Sequence, residues 1–348
     1  MTARNPALAA SRGGERVLFL TLLALLAATF VVSLSVGRYQ VPPGHVIAIL
    51  AAKLLPLEVT WSATEARVVE LIRLPRVLVA AACGAGLAVA GAALQGIFRN
   101  PLVGPQVLGV TSGAAFGGAL AILTSESALL LVALSFVFGL AAMGLVYALS
   151  MTRGRAPVLI LVLSGIVVGA LFSALVALIK FVADPDDKLP AIVFWLMGSF
   201  AAASMGKLAL VAVVVGAAST LVYLLRFRIN VLSLGDEEAR SLGLRVELVR
   251  WTVFCAVALI CAAVVSVAGI VGWVGLVIPH IARRLTGPDH RKLIPAAALV
   301  GAIYLMIVDD VARTVAPAEI PIGILTALIG APVFALLLRR AQSAWTRD

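Results

Sequence analysis

Charge is scarce in this sequence. Asp, Glu, Lys and Arg make up only 13% of its 348 residues, against about 25% in an average soluble domain, while apolar residues reach 62%. That balance excludes a water-soluble enzyme. Cysteine and histidine are rarer still, at three each. Cys83, Cys255 and Cys261 stand singly in apolar stretches, without CxxC spacing or a neighbouring histidine. A Cys/His metal site is therefore excluded, and each reads as a small buried hydrophobe. Within the apolar runs ionisable side chains are nearly missing. Carriers driven by proton or sodium gradients usually place Asp, Glu or His at mid-membrane, and a membrane-embedded enzyme needs an acid/base cluster, so both classes fit poorly. There is no Walker A loop either. Gly206-Lys207 lacks a following Ser or Thr, and Ala201 stands where the earlier glycine belongs.

What is present is a series of long apolar runs. At roughly 20 residues per bilayer crossing, the chain holds about ten spans and leaves little room for a separate catalytic domain. Charged residues, Pro and Gly delimit ten runs, near 17–36, 74–97, 107–123, 128–149, 157–182, 207–226, 248–270, 273–285, 292–313 and 322–340. The first is too long for a signal-peptide core and reads as a retained span. The seventh and eighth lie so close that they could form one kinked helix. Basic residues outnumber acidic ones by 27 to 17. With both termini cytoplasmic, 18 of the 27 fall on the inside, among them Arg4, Arg12, Arg16, Arg99, Arg153, Arg155, Arg339 and Arg340. This positive-inside bias favours ten spans, and it assigns the net charge to cytoplasmic loops rather than to nucleic-acid contacts. Gly84, Gly86, Gly91, Gly113, Gly117, Gly165 and Gly169 lie within the spans, where small residues allow close helix approach.

Three groups of residues stand out. The stretch from Ser233 to Gly243 has Ser three residues before Asp236, acids early and Arg240 late, which predicts a capped short helix. Gly243 suits its left-handed stop. The result is a rigid cytoplasmic knob able to receive force from another protein. On the opposite face Arg73 and Arg76 bracket Pro75, against the inside bias, and Arg313 follows Asp309 and Asp310 at i+4 and i+3, the spacing of an intrahelical pair. The three arginines are either snorkelling anchors or a basic docking surface for an acidic external partner. His280 reads as a helix-packing residue rather than a haem ligand, and His45 and His290 as loop residues.

The ordered series Arg73-Leu-Pro-Arg76, Leu94-Gln-Gly-Ile-Phe-Arg-Asn-Pro-Leu102, Leu108-Gly109, Leu234-Gly-Asp to Leu242-Gly243, Gly275-Leu-Val-Ile-Pro-His-Ile-Ala-Arg283 and Pro321-Ile-Gly323 to Gly330-Ala-Pro332 resembles the FecCD-type permeases. These serve type II ABC importers of iron-siderophore, haem and cobalamin complexes. The likeness runs over nearly the whole chain from about residue 17. It implies an all-α integral membrane protein of about ten transmembrane helices, forming a single permease domain over 1–348 with a coupling-helix region at 233–244. It implies a multi-pass location in the bacterial inner membrane. It also implies a non-catalytic subunit that binds no cofactor or metal of its own. The implied partners are a second copy, two cytoplasmic ATPase subunits that carry the ATP and Mg, a periplasmic substrate-binding protein and membrane lipid. Leu234, Gly235, Asp236, Glu237, Ala239, Arg240, Leu242 and Gly243 match the ATPase-coupling element. Arg73, Arg76 and Arg313 match arginines that receive the binding protein. Asn100, Pro101, Leu102, Val158, Leu159 and Leu163 match the cytoplasmic gate, although Val158 and Leu159 stand where relatives are polar. Val103-Gly104 replaces the commoner Ala-Asp or Ala-Glu. A siderophore or haem cargo leads, with cobalamin or a molybdate-like oxyanion as the alternative.

Overall fold

The computed structural model describes residues 6–151 and 157–345, with side chains from 13 to 151 and from 157 to 336. Arg4, Arg153 and Arg155 lie outside the described residues, as do the side chains of Arg12, Arg339 and Arg340. The fold is all helical among those residues. The elements are α1 (Pro6–Ser35), α2 (Pro43–Ala51), α3 (Ala63–Arg67), α4 (Leu74–Ile97), α5 (Val110–Thr124), α6 (Ala128–Ser150), α7 (Val158–Val182), α8 (Lys188–Met197), α9 (Met205–Leu224), α10 (Arg226–Leu232), α11 (Asp236–Ser241), α12 (Val246–Ala268), α13 (Val274–Thr286), α14 (His290–Thr314) and α15 (Ile322–Trp345). A π-helical stretch, Val68–Arg73, joins α3 to α4 without a break.

Each of the ten apolar runs coincides with a helix. Among the described residues, seven helices are long and apolar enough to cross a membrane: α1, the continuous 63–97 helix, α6, α7, α9, α12 and α14. α5 and α13, of 15 and 13 residues, are too short to cross a roughly 30 Å core alone. α12 and α13 are separate helices rather than one kinked helix. Gly269 (φ 69°) ends the first, and Trp273, in the left-handed region at φ 67°, begins the second. α2, α3, α8 and α10 were not expected. They are five to ten residues long, below the span length on which the apolar reading depends.

The core is built around α4, α12 and α14. Most residues of α4 from Val77 to Ile97 are buried, as are most of α12 from Val253 to Ala268. Close packing here rests on missing side chains, because leaving lipid gains an apolar side chain little and contact must come from backbone approach. A Cβ at Gly84 would lie 2.2 Å from the Gly301 carbonyl oxygen of α14, and one at Gly91 would lie 1.7 Å from that of Gly275. By contrast α7 leaves Leu159, Leu163, Ile166, Val167, Leu171 and Phe181 exposed, an apolar face with no cover among the described residues.

Candidate functional site: two polar clusters and an inner turn

The segment expected to meet an ATPase sits between α10 and α12. Its helix α11 begins at Asp236 with Gly235 (φ 143°) as N-cap and no side-chain cap. The expected cap from Ser233 is not made. The Ser233 hydroxyl instead donates to Ile229 O at 2.9 Å and to Gly96 O at 3.2 Å, because Ser233 is still the C-terminal boundary of α10. The expected stop does form: Gly243 has φ 79°, and Leu244 N donates to Ala239 O at 3.0 Å. Ala239 is buried, whereas Leu234 and Leu242 are 63% and 66% exposed, and Glu237 faces solvent beside them.

Asp236 is not a free surface acid. Both its oxygens accept from Nη2 of Arg250 at 2.7 Å, and Arg250 also reaches Glu247 at 3.2 Å. Arg250 is wholly buried in α12. Arg240 pairs with Glu247 at 3.2 Å and lies 4.0 Å from Asp236. Sequence reasoning did not single out Arg250. Its position just inside an apolar helix, where an unpaired charge is costly, was the available signal.

The turn expected at the cytoplasmic end follows α4. Asn100 Oδ1 accepts from Leu102 N at 2.9 Å, an Asx turn in which Asn100, Pro101 and Leu102 are all exposed. Arg99 just before it adopts a left-handed φ of 52°. Gly104 opens the short 3₁₀ turn Pro105–Leu108, and this turn packs on α7 where the Val107 carbonyl faces Gly165. Val158 is half-buried, and Leu159 and Leu163 are exposed at the start of α7. Contact between the two expected gate segments therefore runs through the Pro105–Leu108 turn.

At the other end of the bundle the structure brings Arg73, Arg76 and Arg313 together, but as buried groups only 4%, 7% and 6% exposed. Arg76 is clamped by Asp309 at 2.9 Å and by Glu319 at 2.8 Å. Arg313 pairs with Asp310, lies 3.8 Å from Asp309 and donates to Ser33 O, while Ser33 donates to Asp310 at 2.6 Å. Arg73 donates to the carbonyls of Leu34 (2.7 Å), Ser35 (2.8 Å) and Tyr39. Three guanidiniums thus face three carboxylates. The intrahelical pairing on α14 is as the spacing indicated; Glu319, ten residues on and outside any helix, was missed. Arg76 holds the Glu319 carboxyl below the usual carboxylate range by hydrogen bonding, against the opposing effect of burial.

The histidines divide differently from the reading above. His45 lies in α2 and bonds Glu65 at 3.0 Å. His290 is no loop residue: it starts α14, is 3% exposed, and its Nδ1 meets Asn230 of α10 at 2.7 Å. His280 lies half-buried in α13. The described residues contain no group of three His, Cys, Asp or Glu able to hold a metal ion, and all three cysteines are free.

This architecture can be compared with known proteins. The model of the FecCD transport family matches residues 25–340. The chain belongs to the FecCD transport family. It is a non-catalytic, multi-spanning permease with the type II ABC-importer fold. The molybdate import system permease protein MolB of Haemophilus influenzae is 45% identical over 321 residues, covering 92% of this chain and 95% of the relative. A probable iron chelatin transport system permease of Helicobacter pylori (strain 26695) is 43% identical over 271 residues, covering 78% and 82%. Among solved structures, one described as an inward-facing metal-chelate type ABC transporter superposes with a TM-score of 0.84 at 43% identity, covering 93% of this FecCD permease and 99% of that chain.

Proposed function

We propose that this FecCD permease is the membrane-spanning half of a binding-protein-dependent importer whose cargo is an oxyanion of the molybdate class. One observation carries the cargo: the 45% identity to a molybdate import permease extends over 95% of that protein, whereas the iron chelatin relative matches over 82% of its length. The siderophore or haem reading thereby gives way to the alternative; a ferric chelate remains the second reading, favoured by the 43% identity to the iron chelatin permease. Family membership implies a dimer of this chain, two ATPases and a binding protein. The bundle lies in the bacterial inner membrane with both termini cytoplasmic.

In this reading, Leu234 and Leu242 with Glu237 between them present an exposed apolar and acidic face to the ATPase, and Gly235, Asp236, Ala239, Arg240 and Gly243 shape and anchor it. Asn100, Pro101, Leu102, Val158, Leu159 and Leu163 close the inner end of the pathway. ATP-driven closure of the ATPase pair shifts the dimer between outward and inward access, by binding the two states unequally. The binding protein docks over Arg73, Arg76 and Arg313. Because these arginines are already paired, docking is an exchange: an incoming carboxylate competes with Glu319, the most exposed of their acidic partners. Glu319→Gln should therefore tighten docking, read as a lower Kd for the binding protein at fixed salt. Weaker docking would count against the exchange.

The cargo is tested by reconstituting the permease with its ATPase and binding protein in liposomes. ATP-dependent uptake of molybdate, with no uptake of ferric siderophore, is expected. The reverse pattern would overturn the assignment. Sustained uphill accumulation by the permease alone would overturn the importer itself.

A further inference from the structure

The inner cluster and the inner turn are joined by contacts that suggest how they work together. Arg250 grips Asp236, the first residue of α11, through two 2.7 Å bonds. Four residues on, one helical turn along α12, Phe254 stacks on Phe98 with ring centroids 5.6 Å apart and planes within 14°. Trp251 of α12 meets Phe254 edge-on at 5.4 Å and Tyr147 of α6 at 4.6 Å. Phe98 is the C-cap of α4, two residues before Asn100. Both Phe254 and Arg250 are fully buried. A second strut runs directly from Ser233 to the carbonyl of Gly96. Interiors packed this tightly shift as pieces rather than deform.

We propose that Arg250 is a positioning residue that locks the coupling helix to α12, and that the Phe254–Phe98 stack passes α12's displacement to the Asn100–Leu102 turn. This rests on the importer reading above. α12 would then be the transmission rod between motor and gate, and Arg250 its fixed joint. The two carboxylates holding Arg250 are each about a quarter exposed, so Arg250→Met leaves them hydrated rather than stranded.

The test uses the complete complex in liposomes, with a nitroxide at position 102 of each subunit. The inter-label distance and ATP hydrolysis are followed with and without ATP. The wild type should show an ATP-dependent distance change. Arg250→Met and Phe98→Leu should keep hydrolysis near the wild-type rate but lose that change, and molybdate transport should fall by on the order of tenfold, as expected when linked sites lose their coupling. Arg250→Lys, which keeps the charge, should restore part of both. The proposal is overturned if Arg250→Met responds to ATP as the wild type does, or if hydrolysis and gate movement fall together in both variants. A wild-type complex whose gate ignores ATP would overturn the importer reading instead, and this proposal with it. Should Arg250→Met fail to assemble, Phe98→Leu decides alone.

Discussion

At the residue scale the two clusters obey one rule. A guanidinium taken out of water needs partners on several sides, and each of these has them. Arg76 illustrates the cost of breaking such a set. Asp309 is 1% exposed, and Asp309→Ala takes from the buried Arg76 one of its two carboxylates while Glu319 stays; the lost charged hydrogen bonding should cost about 1.5–3 kcal/mol, read as a lower melting temperature of the detergent-solubilised protein. Arg76→Glu would set three acids together and should fail to fold, so docking is better probed at Glu319. Acid sensitivity follows from Asp289, the N-cap of α14. Burial would raise its pKa, but hydrogen bonds from the Arg291 amide, Asn230 and the Arg291 side chain outweigh it and bring it down to about 2, from an ordinary 3.8. A depressed carboxylate stabilises the fold above its unfolded pKa, and that stability disappears as pH falls through the folded value. Thermal melts between pH 5 and pH 2 should show a loss, and Asp289→Ala should remove the part of it that falls below 3.8.

Helix by helix, legibility in the sequence followed length. Every long apolar run became a helix because burial or lipid exposure needs no partner to be specified, and a charged or glycine boundary marks its end. Arg73, Arg76 and Arg313 were legible by position but not by burial: the acids beside Arg313 are local, whereas the groups that enclose Arg73 and Arg76 come from elements far along the chain. Asp309 lies 233 residues from Arg76, and no spacing rule reaches that far. The Asp236–Arg250 bond was not legible, because Arg250 sits on the next helix, outside the local window. The glycines were legible as a group and now have particular partners. Gly84→Val should force apart α4 and α14, where the Gly301 carbonyl leaves no space, at a cost of about 1–3 kcal/mol or more. Gly144→Val, with nothing within 4 Å, should leave the melting temperature unchanged.

For the whole molecule, the position of each ionic cluster along the chain has a consequence for biogenesis. Asp236 and Arg250 are 14 residues apart. Such a short loop closes at little entropic cost, and chains assemble from the amino terminus as they are made, so this inner joint can form before α13 has left the ribosome. The cluster around Arg76 has to wait. Arg76 enters the bilayer early and meets neither Asp309 nor Glu319 until α14 and the loop after it have been synthesised. A nascent chain halted between those points carries Arg76 without its two carboxylates. Pairing of Arg76 is thus among the last ionic contacts to form, because Asp309 lies 233 residues further along the chain.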